Sequence, residues 1–285
     1  MNRNDRVATA QETLQILADG SYLSPSGKTI EIAKEQAFAV QNSIHYKRNA
    51  FDPIFAERDK ILADSVKKQT KFEVTTETSL EACKRLLAFN QKIFCLNFAS
   101  AKNPGGGFLG GSQAQEESLA RSSGLYPCIA QMNEMYESNK KYKSCLYLDD
   151  MIYSPDVPVL RQDDGTLLET PYLVSFLTSP AVNAGVLSKN EKEKIEEVML
   201  LRLEKLLSIA VVKRYKTLVL GAWGCGVFMN DPEKIAAYFH HQLLKNQDSA
   251  KSALFENVFE RVVFAIYAPS VDNANVTPFL KLFGK

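Results

Sequence analysis

Eight of the 14 glycines fall in two short stretches, Gly105, Gly106, Gly107, Gly110 and Gly111 in the first and Gly221, Gly224 and Gly226 in the second. Glycine accepts positive φ and lets a backbone come close to another group, and successive N–H groups in such a loop make a nest for an anion. Each stretch follows an apolar run of strand length, KIFCLNFA and TLVL, and precedes a segment with helix-capping residues. Helix N-termini therefore add positive partial charge beside both loops. Two such nests on one sheet edge suit a long anionic ligand such as a dinucleotide diphosphate. A single triplet is explained by a tight turn or bulge, whereas two matched loops argue for a ligand. Neither loop is a standard cofactor fingerprint. There is no GxxxxGK[ST], and GAWGCG reads G-x-x-G-x-G instead of G-x-G-x-x-G, which weakens kinase and dehydrogenase readings.

The first loop runs into Gln115, Glu116 and Glu117. Adjacent helical residues point about 100° apart, so the two carboxylates are expected to face different partners, one of them the glycine loop. Acidic residues at a helix N-terminus have a plain electrostatic reason to be there, and the pairing with a glycine nest is what points to chemistry. Arg121, four residues after Glu117, reads as a surface ion-pairing residue of the same helix. His45, His240 and His241 are the only histidines, too few for a histidine-rich metal site or a Ser-His-Asp triad. Cys83, Cys95, Cys128, Cys145 and Cys225 form an odd set with no CxxC pair and read as buried reduced thiols.

The elements that must position these residues change texture along the chain. Residues 8 to 70 read mainly as helix, in TAQETLQILADG, AKEQAFAVQNSIHY and PIFAERDKILADSVKKQ, with one short extended piece, GKTIEI. From Lys71 strands and helices alternate, the pattern of an α/β layer fold. FEVTT leads to a capping box, Thr78 to Glu81, that opens LEACKRLLAFN. A second box, Ser112 to Gln115, is expected to start the helix after the glycine loop. DVPVLR, the turn DDG and YLVSFLTSP follow. Then come a long helix capped by Ser188 and Glu191, the strand TLVLGAWGCG, a helix opened by Asp231 and Pro232, the strand RVVFAIY, and a last helix at Thr277-Pro278. The expected organisation is a helical extension over 1–70 packed on a main domain over 71–285. Phe94, Phe98, Phe176 and Phe264 are assigned to the sheet, and Tyr126 and Phe228 to ligand-facing positions.

Composition sets the outer limits. The chain of 285 residues carries 34 Lys and Arg against 33 Asp and Glu, with 45% apolar and 24% charged residues, the balance of a globular protein with a full core. A net charge of +1 provides no global field for nucleic acid or an anionic membrane. The N-terminal MNRNDRVATAQETLQ has no apolar signal core, and no stretch approaches about 18 apolar residues. A cytoplasmic monomer is expected, with no direct nucleic-acid or membrane partner. An effector delivered elsewhere without a cleaved signal would look the same.

NFASAKNPGGGFLGGSQAQEESLARSSGLYP resembles, almost residue for residue, the signature of bacterial-type poly(ADP-ribose) glycohydrolases, a branch of the macrodomain fold. That signature is a glycine triplet, a short spacer and QEE. The similarity extends to DDMIYSPDVPVLR, TSPAVN, LVLGAWGCGVFMNDPE, FERVVFAIY and the N-terminal ETLQILADGSY, so it spans most of the chain. The resemblance implies a three-layer α/β/α sandwich with a mixed sheet, binding ADP-ribose at the strand ends without metal or cofactor. It also implies that Gly105, Gly106 and Gly107 pass under the distal ribose and diphosphate, that Asn103 holds distal ribose hydroxyls, and that Gln115 belongs to the same binding motif. By the same resemblance Glu117 is the catalytic acid/base and Glu116 orients the adjoining ribose. Gly224, Cys225, Gly226, Val227 and Phe228 then form the diphosphate loop, with Phe228 against the distal ribose. Met229 departs from the pattern, which has a small residue there, usually glycine.

The residues suit this chemistry on their own terms. Cleaving a glycosidic bond at a ribose C1″ needs a proton for the leaving oxygen and a positioned water, and one carboxyl can serve both in turn. The expected activity is hydrolysis of the ribose–ribose bond of poly(ADP-ribose). The alternatives are removal of a single ADP-ribose from a modified protein side chain, and a non-catalytic ADP-ribose reader, which would not require Glu117.

Overall fold

The computed structural model describes residues 1–66, 68–89, 92–244 and 253–284. In chain order the elements begin with α1 (Arg3–Asp19), β1 (Ser21–Leu23), β2 (Thr29–Glu31), α2 (Ala33–Gln41), β3 (Ile44–Tyr46) and α3 (Asp52–Ala63). They continue with β4 (Lys71–Thr75), α4 (Ser79–Leu86), β5 (Ile93–Phe98), α5 (Gln115–Ser122), α6 (Leu125–Ala130) and α7 (Asn133–Lys141). Next come β6 (Met151–Arg161), β7 (Leu167–Ser179), α8 (Lys189–Lys192), α9 (Ile195–Val212), β8 (Thr217–Leu220), α10 (Pro232–Leu243), β9 (Arg261–Ala265) and α11 (Thr277–Phe283). The main sheet has seven strands in the order β3-β6-β7-β5-β8-β9-β4, and β1 and β2 form a separate antiparallel pair. This is the mixed α/β class expected from the sequence.

One compact unit comprises Met1–Tyr46, Asn97–Lys141 and Asp150–Pro180. Its strands β3, β6 and β7 pair antiparallel, with Ile152 opposite both His45 and Thr178. A register shift between Ser154 and Val157 brackets Asp156, at φ 45°, and accommodates Pro155 inside an otherwise buried strand. Helix α1 opens with a reciprocal capping box between Asn2 and Asp5 and stops at Gly20, at φ 74°. A Cβ there would lie 2.8 Å from the Ala33 Cβ. Gly20 is thus fixed by both its turn and its packing.

The other unit comprises Lys47–Leu96, Tyr142–Asp149 and Ala181–Lys285. Here β5, β8, β9 and β4 run parallel, with Cys95 opposite Val219, Val219 opposite Val263 and Val263 opposite Glu73. Such strands are covered on both faces, which is why IFCL, TLVL and VVFA are continuous apolar runs. Phe239, Phe264, Phe279 and Phe283 form a connected aromatic cluster. Helix α9 carries a fully buried Arg202, paired with Asp149 at 2.7 Å. Lys205 joins them, and the two cations hold the Asp149 carboxyl below its usual range against the cost of burial.

Several expectations are corrected. The stretch to Tyr46 does not stay helical: α2 ends at Gln41, and the β-branched Ile44 opens a strand that pairs with β6. Three short strands, not one, therefore interrupt the N-terminal helices. The helix behind the Ser188 capping box breaks after one turn, so that α8 and α9 replace one long helix. Cys83, Cys95 and Cys128 are buried, whereas Cys145 and Cys225 are half-buried, and all five are free thiols. Lys67 in the third expected helix and Asn90 at the end of LEACKRLLAFN lie outside the described residues. No helix among the described residues is long and apolar enough to cross a membrane.

Candidate active site

Strand β5 delivers its chain end into a loop that returns to its own exit. At that end the Phe98 N–H donates to Gln115 Oε1 at 2.8 Å, fixing the first residue of α5 against the strand. Sequence reasoning missed Asn97, although it is the one strongly polar residue in the apolar run IFCLNF, and a buried polar group in such a run must find partners. Its Nδ2 donates to Thr178 Oγ1 at 3.1 Å and to Glu116 Oε1 at 3.3 Å. Ser100 N–H donates to Glu116 Oε2 at 2.6 Å, and the Gly105 N–H also bonds this carboxyl. Glu116 is 3% exposed, and burial pushes its pKa up to about 8 in spite of these donors. The charge of Glu117 pushes in the same direction.

Glu117 meets a different environment. It is half-buried, and its Oε1 accepts the Gly107 N–H at 3.0 Å. A Cβ on Gly106, at φ 59°, would run into the Glu117 carboxylate and would stand 3.2 Å from Glu116 Oε2. Two carboxyls that leave the helix about 100° apart therefore both reach Gly106, because the loop folds over the first turn of α5. The three N–H groups of the triplet go to Glu116, the Asn103 carbonyl and Glu117 respectively. In this structure the acceptors held by the first nest include the protein's own carboxyls. Gly105, at φ 69°, also lies under Phe108 and Tyr126, whose rings are 4.8 Å apart. Asn103 is exposed at the loop's outer edge, its own N–H on Ser100 Oγ at 3.2 Å. Among the described residues the buried Tyr136 hydroxyl has no hydrogen-bond partner; burial and then the nearby Glu116 raise its pKa well above the ordinary tyrosine value.

The expected Ser112 capping box does not form. The N-cap of α5 is Ala114, without a side-chain cap, and Gln115 spends its carbonyl oxygen on Phe98. Nor is Arg121 a surface residue: it is 1% exposed and donates to the Ser112 carbonyl at 2.7 Å and to Gln113 Oε1. A buried guanidinium answers a carbonyl that has no helix to complete, which spacing alone does not reveal.

The second loop, within its own unit, joins β8 to α10. Gly224 has φ 76°, and a Cβ on it would lie 2.6 Å from both the Ala181 Cβ and Asn230 Nδ2. Asn230 pins the loop through the carbonyls of Val182 and Gly224. Among the described residues the N–H groups of Gly226, Val227 and Phe228 have no partner, and nothing stands within 4 Å of a Cβ on Gly226. Val227 and Met229 are exposed, and Phe228 is half-buried with its ring 5.8 Å from Tyr147. Met229 sits at φ 53°, which explains why glycine is the residue to expect there. Cys225 is no nucleophile at neutral pH: burial, and then Asp231, push its thiol up to about 12. Among the described residues no group of three or more His, Cys, Asp or Glu side chains could hold a metal ion.

A glycine loop that holds two carboxyls in different environments, at the exit of a buried strand on an α/β scaffold, has the parts that carboxyl-based hydrolysis requires. Residues 10–162 match the family model of the microbial-type PARG catalytic domain. The chain is 41% identical to the poly(ADP-ribose) glycohydrolase of Thermomonospora curvata, with a TM-score of 0.91 over 99% of this chain and 100% of that one. The same enzyme bound to the inhibitor ADP-HPD is matched at 40% identity and a TM-score of 0.88, over 98% and 99% of the two chains. The Deinococcus radiodurans enzyme in complex with ADP-ribose is matched at 36% identity and a TM-score of 0.77, over 88% and 98%. No curated protein sequence matches the chain. The chain belongs to the microbial-type poly(ADP-ribose) glycohydrolase family and is a glycosidase-type hydrolase.

Proposed function

We propose that the protein hydrolyses the O-glycosidic ribose–ribose bond of poly(ADP-ribose) and releases ADP-ribose, with Glu117 as acid and base. The observation that carries this reading is the division of labour between neighbouring carboxyls: Glu117 is accessible and oriented by the Gly107 N–H, while Glu116 is buried and held by Asn97 and Ser100. Glu117 gives its proton to the leaving ribose oxygen as the C1″–O bond breaks, then accepts a proton from the water that attacks C1″. The ligand's diphosphate lies near the developing cation and stabilises it. Glu116 orients the adjoining ribose, Asn103 holds distal ribose hydroxyls, Gly105, Gly106 and Gly107 pass under the distal ribose and diphosphate, and Gln115 belongs to the same binding motif. Gly224, Cys225, Gly226, Val227 and Phe228 take the diphosphate, the three unpartnered N–H groups of this loop being suited to phosphate oxygens. Residues 1–70 are an extension packed on the catalytic domain, and the enzyme works as a cytoplasmic monomer.

Glu117→Gln keeps size and hydrogen bonding but removes proton transfer. Turnover on polymer is expected to fall by about 10²- to 10⁴-fold with little change in ADP-ribose affinity. A variant as active as the wild type refutes the mechanism. Release of ADP-ribose only from singly modified protein would establish the mono-ADP-ribosyl hydrolase instead, and binding without cleavage of either substrate would favour a reader.

A further inference from the structure

The first glycine loop leaves three successive carbonyls, those of Gly110, Gly111 and Ser112, outside the backbone bonds that close the loop. Those bonds run from Phe108 N–H to Gly105, from Gly110 and Ser112 to Gly107, and from Gly111 to Phe108. Each of the three carbonyls is taken by a different arginine. Arg3 Nε donates to the Gly110 carbonyl at 2.9 Å, Arg6 Nε to that of Gly111 at 2.7 Å, and an Arg121 terminal nitrogen to that of Ser112 at 2.7 Å. Arg3 and Arg6 come from the first turn of α1, and Arg121 from α5, one turn after Glu117. The approach of α1 is close: a Cβ on Gly111 would lie 2.6 Å from the Arg3 carbonyl and 3.0 Å from Val7 Cγ2. Below this contact Ala10, Phe108 and Ala120 form a buried apolar cluster, and Thr13 Oγ1 donates to the Arg121 carbonyl at 2.7 Å.

We infer that the first turn of α1 is a positioning element for the catalytic loop, acting through Arg3 and Arg6 on the Gly110 and Gly111 carbonyls. The inference rests on the reading of Glu117 as the catalytic acid. The span from Gly107 to Ser112 is short and closed on itself, since Ser112 N–H returns to the Gly107 carbonyl. A displacement of the Gly110–Gly111 corner therefore reaches the Gly107 N–H, the group that orients Glu117. Charged donors on carbonyls make stronger bonds than neutral ones, so two guanidiniums suffice to hold a glycine-rich corner that would otherwise sample many conformations. The role is one of positioning, because both arginines meet backbone carbonyls of the loop and not the Glu117 carboxyl.

The test is the pair Arg3→Ala with Arg6→Ala, together with Arg6→Lys, in the full chain. The double variant is expected to lose about 10- to 100-fold in kcat on polymer, as small misplacements of catalytic groups do, with ADP-ribose affinity by calorimetry within about twofold of wild type. Amide hydrogen exchange at 107–113 should quicken in the same variant. Arg6→Lys, which can still donate to one carbonyl, should recover part of both. A double variant with unchanged kcat and unchanged exchange overturns the inference. So does one whose Tm falls while kcat per folded molecule stays constant, because that is a purely structural role. If the double variant does not fold, Arg6→Lys and the single Arg3→Ala change, at an exposed residue, decide by the same two readouts. Should the wild type release nothing from polymer, the functional reading fails, and the exchange measurement still judges the clamp.

Discussion

Glu116→Gln separates the buried carboxyl's electrostatics from its hydrogen bonds. In the folded protein Glu116 titrates at about 8, against about 4.5 for an ordinary glutamate, chiefly because it is buried. Below about pH 4.5 it is protonated in both states and contributes no pH dependence. Between about 4.5 and 8 the folded protein binds more protons than the unfolded chain, so unfolding free energy falls as pH rises through this window and levels off above it. Each tenfold in proton affinity is worth about 1.4 kcal/mol, which sets a ceiling of about 5 kcal/mol on the loss. Relaxation and water entry lower the real figure, and a loss of about 2 kcal/mol or more is expected. The glutamine variant keeps an acceptor for the Ser100 N–H, and its amide can donate to Asn97 once the Asn97 side chain turns over to present Oδ1, which is buried without a partner among the described residues. Urea unfolding of both proteins at several pH values from 5 to 9 gives the difference curve, in which other titrating groups cancel. Wild type should lose stability relative to Glu116→Gln as pH rises, so that the variant is the more stable protein at alkaline pH. A difference that does not change with pH refutes the reasoning, because it would mean that Glu116 ionises in the fold as easily as in the unfolded chain.

Met229→Gly removes a side chain from a positive-φ position, and relief of about 1 kcal/mol of backbone strain should offset glycine's entropic cost, leaving Tm nearly unchanged; a large loss would show that Met229 is held by its contacts instead. Replacing Gly226 by a bulky residue, where the protein itself offers no obstacle, should leave Tm intact and weaken ADP-ribose binding by calorimetry, and undiminished affinity would remove this loop from the site. Activity should survive EDTA, since none of the donor residues described here are gathered for a metal; a loss that a divalent cation restores would point to metal-assisted hydrolysis.

What was legible in the sequence was what local rules govern. The parallel strands IFCL, TLVL and VVFA announce themselves as apolar runs because both faces are covered. The caps at Thr78, Ser188 and Asp231 form as read, since each needs only residues within one turn. The errors lie where a distant partner outbids a local one. The Ser112 box fails because Gln115 is claimed by Phe98 and the Ser112 carbonyl by Arg121. Ile44–Tyr46 leaves the helix for a pairing with β6, a strand more than a hundred residues away. The first-loop candidates, by contrast, are close in sequence and were legible together, but the partners that hold them, Asn97, Ser100, Arg3 and Arg6, carry no local signature beyond the oddity of an asparagine in an apolar strand.

The glycine clustering that first marked the site has several causes at once. Gly106 lacks a side chain because Glu117 stands where one would be, and Gly111 because α1 does. Gly224 is needed for its turn and its packing against Ala181 and Asn230. The space beside the backbone is open at Gly110 and Gly226, and at Gly226 it lies next to N–H groups that have no partner among the described residues. Glycine density therefore marks the two candidate loops without separating ligand contact from internal support. On the proposed reading the first loop seats the acid and the second seats the anion. On that division a substitution at Gly106 disturbs the seat of the acid and acts on kcat, whereas one at Gly226 crowds the seat of the anion and acts on affinity.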